Sequence, residues 1–193
     1  MKPTSMNIII AGVGGQGTLL ASRIIGNAAI QMGYDVKVSE VHGMSQRGGS
    51  VVTYVKFSEQ RVNSPVITEG NADFVLAFEA LEAYRMMGFV TPGGKMIAST
   101  QQINPMPVIT GAAVYPSDIQ TKIRAKGIDL MTVDALELAI GAGNQKAVNT
   151  VLIGVLAKQS SIAKETWLQS LHTTVPAKLL DVNLKAFEAG YAL

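Results

Sequence analysis

A chain of 193 residues can bury about two-thirds of its unfolded surface and is expected to form one domain. Its 16 basic and 14 acidic side chains leave a net charge of +2 without a basic run, which argues against nucleic acid as a partner. There is no cysteine, so the chain can hold no disulfide, no thiolate zinc site and no cysteine-ligated iron–sulfur cluster; an electron-transfer centre of that kind would sit on another chain.

The first segment, MKPTSMNIIIAGVGGQG, has one lysine and a short apolar run broken by glycines. It suits neither a signal peptide nor a membrane anchor, so a cytoplasmic location without a membrane partner is expected. Ile8, Ile9 and Ile10 predict a buried strand over residues 7–13. Leu19, Leu20, Ile24, Ile25, Ala28 and Met32 then fall at helical spacing over residues 16–32, and Gly33 stands where a helix ends. A second strand over 35–41 completes a βαβ unit. Val51, Val52, Tyr54 and Val55 predict a strand over 50–57, followed by a turn at Asn63-Ser64-Pro65.

An apolar strand over 72–78 feeds a helix over 79–87, whose opening Glu79 and Glu82 suit the positive helix end. Met86, Met87 and Met96 read as core filler. Pro92-Gly93-Gly94 predicts a turn into a strand over 95–99; residues 104–107 break regularity, 112–115 suit a short strand, and Ser117 would cap a helix over 117–125. A last strand is expected over 128–133. Helices follow over 135–142, 146–159, 164–173 and 177–189, with residues 141–144 ending one helix and capping the next. His172 reads as a helix-surface histidine, and Trp167 as an apolar anchor in the core or at a subunit contact. The fold class is therefore α/β: a Rossmann-like, mostly parallel sheet over 1–133 with a helical C-terminal portion over 134–193, in one domain. Charged residues are 16% of the chain, against about 25% in typical soluble domains. Either a partner covering part of the surface or a compact core rich in small residues would account for that.

Two loops carry the candidate chemistry. Gly12-Val13-Gly14-Gly15-Gln16-Gly17 fits G-x-G-x-x-G between a strand and a helix, with Gly12, Gly14 and Gly17 in the glycine places. Such a loop turns tightly, admits a phosphate to the backbone and aims helix N–H groups at it. Glu40, at the end of the second strand, is near where dinucleotide enzymes place their ribose-binding acid. The same glycines would also serve a sharp turn that binds nothing. The second loop, Glu40-Val41-His42-Gly43-Met44-Ser45-Gln46-Arg47-Gly48-Gly49-Ser50-Val51, leaves the carboxyl end of the second strand and so lies on the same sheet edge. His42, Gln46 and Arg47 supply an imidazole, an amide and a fork of donors, while Gly48 and Gly49 permit backbone shapes that other residues avoid. A carboxylate, a phosphate or a partner's backbone would each suit it, as would local hydrogen bonding alone.

Together, GVGGQG and EVHGMSQRGGSV resemble the gamma-type domain of the pyruvate/2-oxoacid:ferredoxin oxidoreductases, and the HGMSQRGG wording is similar to the indolepyruvate-type members. The resemblance extends over nearly the full chain. It implies a subunit of an enzyme that converts a 2-oxo acid, coenzyme A and oxidised ferredoxin into an acyl-CoA, carbon dioxide and reduced ferredoxin. Thiamine diphosphate with magnesium and the iron–sulfur clusters are then expected on a large partner subunit, through which ferredoxin is also met. The chain has neither cysteine nor a Gly-Asp-Gly stretch followed by Asn, so it should hold no complete active site. On this reading Gly14, Gly15, Gln16 and Gly17 offer backbone contacts, and His42, Gln46 and Arg47 line a shared site. A free-standing nucleotide-binding dehydrogenase and a noncatalytic assembly module are the alternatives.

Overall fold

A computed structural model describes residues 3–43 and 48–193. The described residues form one six-stranded sheet in the order β2-β3-β1-β4-β5-β6. These strands are β1 (Ser5–Val13), β2 (Asp35–His42), β3 (Ser50–Ser58), β4 (Ala72–Ala77), β5 (Val90–Ser99) and β6 (Asp129–Val133). β1, β4, β5 and β6 run parallel, while β3 is antiparallel to both β1 and β2. The expected βαβ order over 7–41 is present, but its two strands are not neighbours, because β3 is inserted between them. Side-chain chemistry explains the placing. Val51, Val55 and Phe57 of β3 are buried, whereas β2, with Asp35, Lys37, Ser39 and Glu40, is the polar edge strand.

The helices are α1 (Thr18–Gln31), α2 (Ala80–Met86), α3 (Met106–Ile109), α4 (Ile119–Arg124), α5 (Ala135–Gly141), α6 (Val148–Gln159), α7 (Lys164–Thr174) and α8 (Ala177–Tyr191). Ile8 and Ile10 pack with Ile24, Ile25, Val151, Leu152, Trp167 and Phe187 on one face of the sheet. Ile9 packs with Val75, Met96, Leu81 and Ile123 on the other. Both faces of β1 are covered, which is why its sequence is a continuous apolar run. The helical C-terminal portion thus packs on the sheet, and Trp167 lies in the core. Its tightest contact is between α6 and α8, where a β-carbon on Gly190 would stand 1.9 Å from the Val151 carbonyl oxygen, and one on Gly154 2.2 Å from that of Phe187. None of the described helices is long and apolar enough to cross a membrane.

Residues 100–118, between β5 and α4, depart from expectation. No strand forms at 112–115; a short helix, α3, occupies part of the stretch expected to be irregular. Tyr115 turns inward instead, its hydroxyl donating to the Glu79 carboxylate and accepting from Leu81 N at 3.1 Å. Glu79 also accepts from Ile103 N at 3.0 Å and caps α2 through Glu82 N at 2.9 Å. The excursion is therefore pinned near both ends by one buried carboxylate. Asp118, at φ 58°, precedes α4 in the cap position expected for Ser117, whose carbonyl accepts from Lys122 Nζ at 3.0 Å. The expected turn at Pro92-Gly93-Gly94 is an irregularity inside β5, where pairing with β4 jumps from Ala72↔Val90 to Phe74↔Lys95.

Gly190→Ala should lower stability by about 1–3 kcal/mol, because overlap with the Val151 carbonyl outweighs the better helix propensity of alanine. An unchanged urea midpoint would refute the backbone contact. Burial first, and then the bond to Glu79, hold the Tyr115 hydroxyl above its ordinary pKa of 10.0. A phenol whose pKa is raised by folding stabilises fully below pH 10 and loses that contribution as pH rises further. Tyr115→Phe should be about 1–3 kcal/mol less stable at pH 7, from the partners left behind, and the gap should narrow above pH 10. Denaturation at pH 7, 9 and 10.5 checks both size and sign.

Candidate functional site at the carboxyl edge of the sheet

At the carboxyl end of β1 the chain must turn sharply into α1. Gly15 and Gly17 do this with φ of 99° and 82°, values that side chains with a β-carbon rarely adopt. Gly17 is constrained twice, since a β-carbon there would also stand 2.7 Å from Asn149 Nδ2. Gly12 serves close packing: its missing side chain makes room for Gln16, Phe78 and Thr18. No side chain caps the first turn of α1, so its N–H groups are left to water or to an anion.

The antiparallel register of β1 and β3 sets Val13 opposite Ser50, and Gly14 N donates to Gly49 O at 3.0 Å. The two loops singled out from the sequence therefore touch through their backbones. Gly14, Gly15, Gly17, Thr18, Leu19, Glu40, His42 and Val51 line one open groove of about 420 Å³. Glu40 and His42, two apart on β2, fall on the same side of the strand. His42 is exposed, and Nδ1 lies 3.2 Å from its neighbour's carbonyl, Gly43 O. Gly48 has φ 75°. Gln46 and Arg47 lie outside the described residues.

Glu40, in the groove wall, is held by two hydroxyls. Its Oε2 accepts from the hydroxyls of Thr18 at 3.2 Å and Thr53 at 3.1 Å, tying β2 to β3 and to α1. Because β3 intervenes, Glu40 also stands two strand spacings, about 9–10 Å, from β1 instead of one. Gln16 turns its side chain inward. Its Oε1 accepts from Val13 N at 2.7 Å, and its Nε2 donates to Phe78 O at 3.0 Å and to Gln101 Oε1 at 3.1 Å. That amide staples the glycine loop to the ends of β4 and β5.

The far side of the glycine loop was not singled out from sequence. There Gly15, Gln16 and Gly17 share a second groove, of about 440 Å³, with Asn144, Lys146, Asn149 and Lys178 among its walls. Asn144 caps the turn before α6 by accepting from Lys146 N at 2.9 Å, as expected, and the same turn delivers Lys146 to the groove. The sequence signal for it is slight, a lysine two residues after the capping Asn144. In sequence Glu82 is a charge suited to a helix end. It is buried, accepts from Ser50 Oγ at 2.6 Å and pairs with Arg85, so it fixes the point where the second loop rejoins the sheet.

The sequence matches the family described as pyruvate ferredoxin/flavodoxin oxidoreductase over residues 7–193. It is 43% identical over 189 residues to the indolepyruvate oxidoreductase subunit IorB of Thermococcus kodakarensis, covering 95% of this chain and 93% of that one. It is 41% identical over 192 residues to the subunit of the same name from Pyrococcus horikoshii, covering 95% and 93%. The fold resembles the crystal structure of a keto/oxoacid ferredoxin oxidoreductase gamma subunit from Geobacter sulfurreducens, with a TM-score of 0.72 at 22% identity, covering 97% of this chain and 96% of that one. The match over nearly the full length and the identity to two indolepyruvate oxidoreductase subunits agree: this chain belongs to the pyruvate ferredoxin/flavodoxin oxidoreductase family.

Proposed function

We propose that the chain is the small subunit of an indolepyruvate-type 2-oxoacid:ferredoxin oxidoreductase, acting in the cytoplasm, and that its two glycine loops complete a site shared with a large partner subunit. The observation that carries this reading is the Gly14–Gly49 backbone bond, which joins both loops over one groove. The names of the two IorB relatives support indolepyruvate as the 2-oxo acid. The chain's own donors do not fit an iron–sulfur cluster, since there is no cysteine, and they lack the Gly-Asp-Gly and Asn elements that would hold a thiamine diphosphate and its magnesium. Those groups are assigned to the large subunit, where thiamine diphosphate supplies the decarboxylation chemistry and the clusters carry the electrons on to ferredoxin.

What remains for this chain is binding and orientation. The uncapped first turn of α1, reached through Gly15 and Gly17, suits the phosphates of coenzyme A. His42 lines the same groove, and the sequence of the second loop supplies the Gln46 amide and the Arg47 guanidinium, a fork of the kind suited to a carboxylate or phosphate. Glu40, held by two hydroxyls, keeps the groove wall in place. The hydrogen bonds that hold Glu40 disfavour the dehydrogenase alternative.

The isolated chain should neither reduce a viologen nor bind thiamine diphosphate, and should gain a role in turnover of indolepyruvate and coenzyme A only with the large subunit. Turnover by this chain alone, or micromolar binding of NAD in calorimetry, would overturn the subunit reading. Gly15→Ala tests the groove. A β-carbon there meets nothing within 4 Å, so it would project into open space, with backbone strain of about 1–2 kcal/mol from the positive φ. Assembly should persist while KM for coenzyme A rises roughly tenfold, equivalent to about 1.4 kcal/mol of lost binding. An unchanged KM combined with weaker assembly would mean that the loop only docks the partner.

A further inference from the structure

We propose that residues 101–116 form a docking arm for the partner subunit, which meets it with an uncharged, apolar surface. This rests on the reading of the chain as one subunit of an oxidoreductase and names a surface through which it assembles. The stretch QQINPMPVITGAAVYP contains no charged residue. None of its residues is fully buried, and although Tyr115 packs partly buried at its base, the stretch presents Met106, Ile109 and Val114 at 60%, 64% and 89% exposure. Surface segments that remain in water normally carry charge, whereas the centres of protein interfaces are depleted of it and enriched in methionine and other apolar side chains.

Apart from Tyr115, which packs against the core, the arm is ordered by polar bonds. Ile109 N, Thr110 N and Ala113 N donate to the carbonyls of Pro105, Met106 and Pro107 at 3.1, 2.9 and 3.0 Å, shaping a compact turn around α3. Its base is held by the Glu79 carboxylate, through Ile103 N and the Tyr115 hydroxyl, and by Ala80 N, which donates to Gln101 O at 2.9 Å. Its apolar side chains are thus presented in one shape before any partner arrives, which lowers the ordering cost of association.

Position favours the partner subunit over other occupants. The arm springs from the carboxyl end of β5, and the Gln101 side chain accepts from Gln16 of the glycine loop. A subunit that closes over the glycine groove would therefore meet the arm as a continuation of the same edge. The absence of lysine and arginine from the arm leaves nothing to attract an anionic membrane surface.

The test is a triple variant, Met106→Ser, Ile109→Ser and Val114→Ser, in the full chain. All three side chains are exposed, so the melting temperature should stay within a few degrees of wild type, and Gln102→Ser on the same arm serves as control. Titrated against the large subunit, the triple variant should show a Kd at least tenfold higher, and amide exchange across residues 106–114 of wild type should slow on complex formation. If wild type assembles and the triple variant does so with the same Kd, or exchange at 106–114 is unaltered in the complex, the arm proposal fails alone. It fails likewise if, with that Kd unchanged, the variant instead loses self-association of the isolated chain or binding to phosphatidylglycerol-containing vesicles. If wild type does not bind the large subunit at all, the functional reading falls and takes the arm with it.

Discussion

Strand β3 enters the sheet between β1 and β2 with its amino end beside their carboxyl ends, and the candidate site depends on that antiparallel entry. A parallel crossover would have carried the chain away from the glycine loop before it rejoined the sheet. Antiparallel pairing instead puts Ser50 opposite Val13 and lets Gly49 accept from Gly14, so the second loop has to start and finish at the edge where the first one turns. The same insertion moves Glu40 one strand further from β1 and gives it Thr53 as a cross-strand neighbour. A Rossmann-like motif is in this way converted into a groove whose acidic residue braces the wall.

The two faces of the sheet are secured by different physics. On the side of α1, α6, α7 and α8 the core is dry and closely packed, and the backbones of α6 and α8 touch because Gly154 and Gly190 have no side chains. On the side of α2 and α4, two buried carboxylates organise the loops: Glu79 holds residues 101–115, and Glu82 holds Ser50. Glu79 caps α2 and Glu82 lies in its first turn, just after the bend following β4, where Phe78 N donates to Ala11 O and Phe78 O accepts from Gln16. One short turn thus connects the glycine loop, the base of the second loop and the exposed arm. A carboxylate can do this where an apolar side chain cannot, because it accepts several directed bonds at once from segments distant in sequence.

Much of the architecture was legible from one-dimensional pattern. The triple isoleucine of β1, the helical spacing over α1 ending at Gly33, and the apolar face of α6 each report a local period or a breaker, and each element formed within a few residues of its expected bounds. The paired glycine motifs also sufficed to identify the family, and their meeting on one edge followed from the polarity of strands in an α/β sheet. Composition spoke plainly as well, since a chain without cysteine cannot ligate a cluster through thiolates whatever its fold.

Only the tertiary structure decided which strands are neighbours and what the buried acids do. Strand order depends on how well each strand tolerates burial inside the sheet, a comparison between distant segments that no local window contains; hence β3, and not β2, lies beside β1. Glu79 and Glu82 look from sequence like charges at a helix end, and their burial becomes visible only when Ile103, Tyr115 and Ser50 arrive from far along the chain. Tyr115, expected in a strand, is drawn into a pin for the same reason: a hydrogen bond to a buried carboxylate outweighs the weak local preference for an extended chain.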